Sequence, residues 1–160
     1  MNVMLRAIKP KVRHFPQLSL AVQYATEDRN IPSRSQLRRW IASALERNAT
    51  ITLRIVDAEE GRKLNRAYRN KNYPTNVLTF VYHLVSDDAV FGDIVLCAPV
   101  VAKEARGQRK QLMHHYAHLT THGTLHLQGY DHESRRDAKV MEQREVALLA
   151  RMRISNPYNA

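Results

Sequence analysis

Five of the eight histidines in this chain fall between His114 and His126, and that crowding limits what the sequence can fold into more than any other feature. The segment runs His114-His115-Tyr116-Ala117-His118-Leu119-Thr120-Thr121-His122-Gly123-Thr124-Leu125-His126, then Leu127-Gln128-Gly129-Tyr130-Asp131-His132. Histidine is a mediocre helix former, and protonated neighbours would stack like charge, whereas a metal takes the neutral imidazole as its ligand. His114, His118, His122 and His126 are spaced by four, so adjacent pairs share one face of a helix. Three in a row cannot serve one ion. Residues i and i+8 are separated by about 12 Å of helix rise, while each ligand nitrogen must lie about 2.0 to 2.1 Å from a zinc ion. The third ligand has to come from another segment. Gly129, just past the expected helix end, can take the left-handed conformation and turn the chain back toward the last turn, carrying His132 with it. His122, His126 and His132 are therefore the predicted ligands of one Zn2+ ion.

This His-x-x-x-His-x-x-Gly-x-x-His spacing matches the metzincin zinc site, except that Gly123 stands where the protease has its catalytic Glu. Without that carboxylate a peptidase lacks its general base, so the spacing predicts a metal site and argues against proteolysis. Two forms of the site stay open. One is a catalytic site with three protein ligands; the other is a closed structural site with His118 or Asp131 as the fourth. Structural zinc sites are usually rich in cysteine, and this chain has one.

The rest of the chain reads as α+β. Leu18, Leu20, Val22 and Tyr24 alternate with Ser19, Ala21 and Gln23 in a strand with one buried face. Ser33 with Gln36 forms a capping box, after which Leu37, Trp40, Ile41, Ala44 and Leu45 repeat at helical spacing. Ile51, Leu53 and Ile55 mark a second strand, and Asp57 with Glu60 is predicted to cap a short helix containing Leu64, Ala67 and Tyr68. A polar loop from Asn70 to Asn76 follows. Val77 to Tyr82 and Val90 to Cys97 read as two strands around a loop with Ser86-Asp87-Asp88. Pro99 suits the first turn of a helix, Gln108 to Gln128 is predicted as one long helix ended by Gly129, and Ser134 with Asp137 caps a last helix with Met141, Leu148, Leu149 and Met152. About four strands and five helices are expected in a single domain over residues 17–160, after a basic extension over residues 1–16, a candidate RNA-contacting arm or a solvated tail.

The formal charge of +10, from 25 Lys and Arg against 15 Asp and Glu, favours a polyanionic partner. No apolar run approaches the roughly 20 residues that span a bilayer, so no membrane partner is expected. The opening residues lack the apolar stretch of a secretory signal, and a cytoplasmic location is the expectation. Cys97 lies in the apolar run Ile94 to Ala98 and reads as a buried, inert thiol.

At His122-Gly123-Thr124-Leu125-His126-Leu127-Gln128-Gly129-Tyr130-Asp131-His132 the sequence resembles the signature of the YbeY family of bacterial endoribonucleases involved in ribosomal RNA maturation. Leu64-Asn65-Arg66-Ala67-Tyr68-Arg69-Asn70-Lys71, then Pro74 to Phe80, then Gly92-Asp93-Ile94 resemble the family's other motifs in the same order. The resemblance implies a zincin-like α+β domain holding zinc on the three histidines just derived. It implies a single-strand-specific endoribonuclease, a hydrolase of phosphodiester bonds, acting in small-subunit ribosomal RNA maturation and ribosome quality control. Ribosomal RNA, the small ribosomal subunit and ribosome-assembly factors are the implied partners. Arg69 matches the family's basic residue beside the metal, where a guanidinium can grip two phosphate oxygens, and His118 matches a residue one turn before the first ligand. Asp131 can act as base or ligand partner, or simply fix the turn. Thr79 and Val81 stand where the family has Ser and Pro, and Asn76 where Asp is common; all three bear on the substrate groove. Two alternative functions are a ribosome-associated assembly or binding factor with a structural zinc, and a metal-dependent hydrolase of another substrate.

Overall fold

The computed structural model describes residues 15–82 and 89–159. Residues 1–14 of the expected basic extension and the Ser86-Asp87-Asp88 segment lie outside these. Strands β1 (Leu18–Ala25), β2 (Asn48–Val56) and β4 (Ala89–Cys97) run parallel, and β3 (Val77–Val81) pairs antiparallel with β4 along the edge, in the order β1-β2-β4-β3. Parallel neighbours need a crossover rather than a hairpin. Helix α1 (Arg34–Ala44) makes the first, and α2 (Ala58–Arg69) lies in the second, followed by the loop into β3. Helices α3 (Ala98–Gly107), α4 (Leu112–Leu127) and α5 (Arg135–Arg151) complete an α+β domain of four strands and five helices among the described residues.

Helix α1 starts where the sequence predicts, with both arms of the capping box made: Gln36 N donates to Ser33 Oγ and Ser33 N to Gln36 Oε1. Its stripe of Leu37, Trp40, Ile41 and Ala44 is buried. The inward positions of β2, Ala49, Ile51, Leu53 and Ile55, meet that stripe and α4 in the main core. Truncating a fully buried side chain here, such as Leu37 or Ile55, to alanine would cost about 2 to 5 kcal/mol. A second cluster on the opposite face joins Val56, Leu78, Val95 and Cys97 to Leu64 of α2. Cys97 is 1% exposed and burial pushes its thiol up, so it is the inert core thiol that was expected.

Helix α4 packs against α1, α3, α5, β3 and β4, which is why ten of its sixteen residues are buried rather than a single stripe. Gly123 sits where α4 crosses the sheet. A Cβ there would lie 3.3 Å from Ile94 Cγ2 and from Thr79 Cγ2, so the side chain a peptidase carries at this point would press into strands β3 and β4.

Two local expectations need correction. The helix predicted from Gln108 begins only at Leu112. The reason is a Schellman turn at the end of α3: Arg109 N donates to Arg106 O and Lys110 N to Ala105 O, with Arg109 left-handed at φ 55°. Sequence reading finds such turns through glycine, and here an arginine occupies the position. Asp57 is the N-cap residue of α2 but makes no side-chain cap; its carboxylate is taken by Thr26 Oγ1 and Glu27 N, while Glu60 binds Arg54.

Candidate metal centre and active-site cleft

The end of α4 sets the geometry of the histidines. Gly129 N donates to His126 O and Tyr130 N to Leu125 O, with Gly129 at φ 98°, so the helix closes in a Schellman motif with glycine at the left-handed position. Tyr130 packs against the buried cluster that contains Leu125, the apolar contact that accompanies this motif. Gln128 locks the turn to α1: its Nε2 donates to Ala44 O at 2.8 Å and its Oε1 accepts from Glu46 N at 2.6 Å. Asp131 Oδ1 accepts from His132 N at 2.6 Å, so this carboxylate fixes the turn.

That turn brings His132 beside the last helical turn. One ring nitrogen from each of His122, His126 and His132 lies within 4.8 Å of the others. The ring centroids are 4.5 Å apart for His122 and His126, 4.7 Å for His126 and His132, and 5.6 Å for His122 and His132. Burial, with the neighbouring His122 and His132, pushes His126 down to about 4, partly offset by the Tyr130 backbone and Asp131. The ring is therefore neutral near pH 7, the form that binds a metal. Three imidazole nitrogens converging on one point, with no fourth His, Cys, Asp or Glu grouped with them among the described residues, suit a metal site that keeps an open position. His118, a candidate fourth ligand, is held elsewhere: its Nε2 lies 3.3 Å from Glu145 Oε2 and 3.2 Å from the Tyr158 hydroxyl.

Arg69 ends α2, and Asn70 closes that helix in the left-handed conformation at φ 55°. The following loop is pinned from below, since the fully buried Asn65 donates to Tyr73 O at 2.7 Å. Arg69, Tyr68, Thr75 to Phe80 and the three histidines together line one cleft of about 510 Å³. None of these lining residues is a carboxylate. Tyr68 is 67% exposed and stands edge-on to Phe80, with centroids 4.8 Å apart. Asn76 lines the cleft with its amide already engaged, donating through Nδ2 to Glu104 and accepting from Val77 N.

Sequence reasoning missed Glu145. This residue lies on the buried stripe of α5 with Met141, Leu148 and Leu149, and a lone carboxylate among those apolar positions was the signal that could have found it. It contacts His122 Nδ1, His118 Nε2 and the Tyr158 hydroxyl. Burial pulls its carboxyl upward, but the hydrogen bonds from His118, His122 and Tyr158 outweigh that and hold it at about 2.

Comparison with known proteins agrees with this architecture. The family described as Endoribonuclease YbeY matches over residues 21–153. A protein of Thiobacillus denitrificans named Endoribonuclease YbeY is 57% identical over 145 residues, covering 91% of this chain and 99% of its own length. One of the same name from Nitrosospira multiformis is 54% identical, covering 89% of this chain and 82% of its own. A Thermotoga maritima protein solved in solution shares the fold at a TM-score of 0.52 and 24% identity, over 87% of this chain and 99% of that one.

Proposed function

This chain belongs to the endoribonuclease YbeY family and is a metal-dependent endoribonuclease, and from that premise we propose that it cleaves unpaired ribosomal RNA of the small subunit with zinc on His122, His126 and His132. The observation that carries the reading is the shared cleft, in which Arg69 stands over the same space as the three imidazoles. Residues 17–160 form the catalytic domain in this reading.

When bound, the ion supplies Lewis acidity, polarising a phosphoryl oxygen and making a water acidic enough to attack near neutral pH. The chain's own residues bind and orient. Arg69 offers a planar guanidinium that can take two phosphate oxygens and offset charge growing on phosphorus during displacement. The exposed ring of Tyr68, braced by Phe80, offers an unpaired base a face to stack on, which a base held inside a duplex cannot use. The formal charge of +10 supports attraction to a polyphosphate backbone. Gly123 and the carboxylate-free cleft lining leave a peptidase without a base. No helix among the described residues is long and apolar enough to cross a membrane.

The test is cleavage of small-subunit ribosomal RNA by protein stripped with a chelator and reloaded with Zn2+, beside His126→Ala checked for folding by circular dichroism. Cleavage should follow the metal, favour single-stranded over duplex substrate, and vanish in the folded variant. Equal cleavage by both proteins would mean a contaminating nuclease and would turn the reading toward an RNA-binding assembly factor. Turnover of small phosphoesters with no preference for RNA would turn it toward another hydrolase.

A further inference from the structure

Behind the three-histidine group, α5 carries a carboxylate into a site with no exposure to water. Glu145 is 0% exposed, and an ion so placed costs several kcal/mol unless its oxygens are matched by donors. Here they are. Oε1 meets His122 Nδ1, while Oε2 accepts from the Tyr158 hydroxyl and lies 3.3 Å from His118 Nε2. A carboxylate only accepts, so a neutral His122 in this contact donates from Nδ1 and keeps its lone pair on Nε2. Without such a partner the imidazole could exchange tautomers and rotate, and its donor nitrogen would be lost part of the time.

The segment after α5 completes the arrangement. The helix ends in another Schellman turn, with Arg153 left-handed at φ 60° and Ile154 N donating to Leu149 O. Lys110 Nζ then donates to Pro157 O at 2.8 Å, and Tyr158 N to Asn156 Oδ1 at 2.8 Å. These bonds strap the C-terminal residues across α5 and place the Tyr158 hydroxyl on Glu145.

We propose that Glu145 is a positioning residue that fixes the ring and tautomer of His122, and that Tyr158 and His118 act through it, so the C-terminal strap is part of the metal site. The proposal rests on the reading of His122 as a metal ligand. A merely structural Glu145 would affect folding without setting the tautomer or the metal affinity of folded protein.

The test has two parts. In metal-free wild-type protein at pH 8, long-range 1H–15N correlation spectra should show His122 protonated on Nδ1; a majority of the Nε2-protonated tautomer overturns the proposal without any variant. Co2+ affinity is then measured by competition with a chromophoric chelator for wild type, Glu145→Gln, Tyr158→Phe and His126→Ala, each checked for folding. Glu145→Gln should weaken Co2+ binding by about 10- to 100-fold, Tyr158→Phe by a smaller factor in the same direction. Uptake lost in His126→Ala but unchanged in both Glu145→Gln and Tyr158→Phe overturns this proposal alone. A wild-type protein that takes up no Co2+ overturns the ligand reading together with it.

Discussion

Near the N-terminal end of α4, His115 is 3% exposed and its Nε2 sits 3.0 Å from Glu104, which also accepts from Asn76. Two turns on, His122 and His126 face His132 across a cleft that no carboxylate lines. The residue type and the helix are the same, yet the outcomes differ because of how the ring nitrogens are used. At His115 the partnered nitrogen is spent on a carboxylate from α3, and its other nitrogen is sealed in the core without a partner among the described residues. At His122 the carboxylate takes Nδ1 alone, and the ring centroids of His126 and His132 stand 4.5 and 5.6 Å away. An imidazole beside an acid is thus packing in one place and part of a candidate donor set in the other. What separates them is whether other imidazole nitrogens converge on the same point.

The sharpest way to break this contrast is to remove one ring from each group. His126→Ala should reduce RNA cleavage by about a thousandfold or more while the protein stays folded, since the metal's contribution to charge stabilisation is lost with it. His115→Ala should leave the specific activity of folded protein unchanged. If the two variants lose activity equally, the division of α4 fails. Arg69→Ala should lower kcat by about 10²- to 10³-fold, as loss of a transition-state donor does, with zinc content by elemental analysis at the wild-type level. Zinc loss in that variant would instead mean that Arg69 shapes the site rather than gripping phosphate.

Effects on the packing group should appear in stability. Glu104→Ala strands a buried imidazole nitrogen and should cost about 1 to 3 kcal/mol in urea unfolding, without changing Co2+ affinity. The smallest effect is on acid stability. The hydrogen bond from His115 holds the Glu104 carboxyl below its ordinary value of 4.5, with Asn76 adding to it against the opposing effect of burial. The folded state therefore binds this proton less readily than the unfolded one. The increment is fully present above about pH 4.5 and is lost as pH falls through the lower folded value. A urea-midpoint series from pH 6 to pH 3 should fall less steeply for Glu104→Gln than for wild type; parallel curves would show that the pair contributes nothing.

Much of this molecule is legible along the chain because the relevant physics is local. The Ser33 and Ser134 caps, the apolar stripes of α1 and α5, the alternation in β1 and β2, and the glycine turn after α4 all depend on neighbours within a few residues. The same holds for the three histidines, whose convergence follows from helix pitch plus one left-handed residue. Where a partner is distant, the local rule gives the wrong answer. Asp57 has the right place and chemistry to cap α2, but Thr26, 31 residues away, takes its carboxylate. Arg109 and Arg153 adopt the conformation that glycine serves at Gly129, because the helix ends they close are held by packing and backbone bonds that a side chain at those exposed positions does not disturb.

By itself the sequence determined the order of elements, the set His122, His126 and His132, and, through Gly123, the absence of a protease's base. Only the tertiary structure decided that Arg69 shares a cleft with those rings, that Gly123 is a contact with Ile94 and Thr79, and that Glu145 and Tyr158 stand behind His122. Spacing on one helix is set by backbone hydrogen bonds that every residue makes alike. Contacts between α2, α4, α5 and the sheet depend on how several buried faces fit together at once, and no single stretch of chain contains that information.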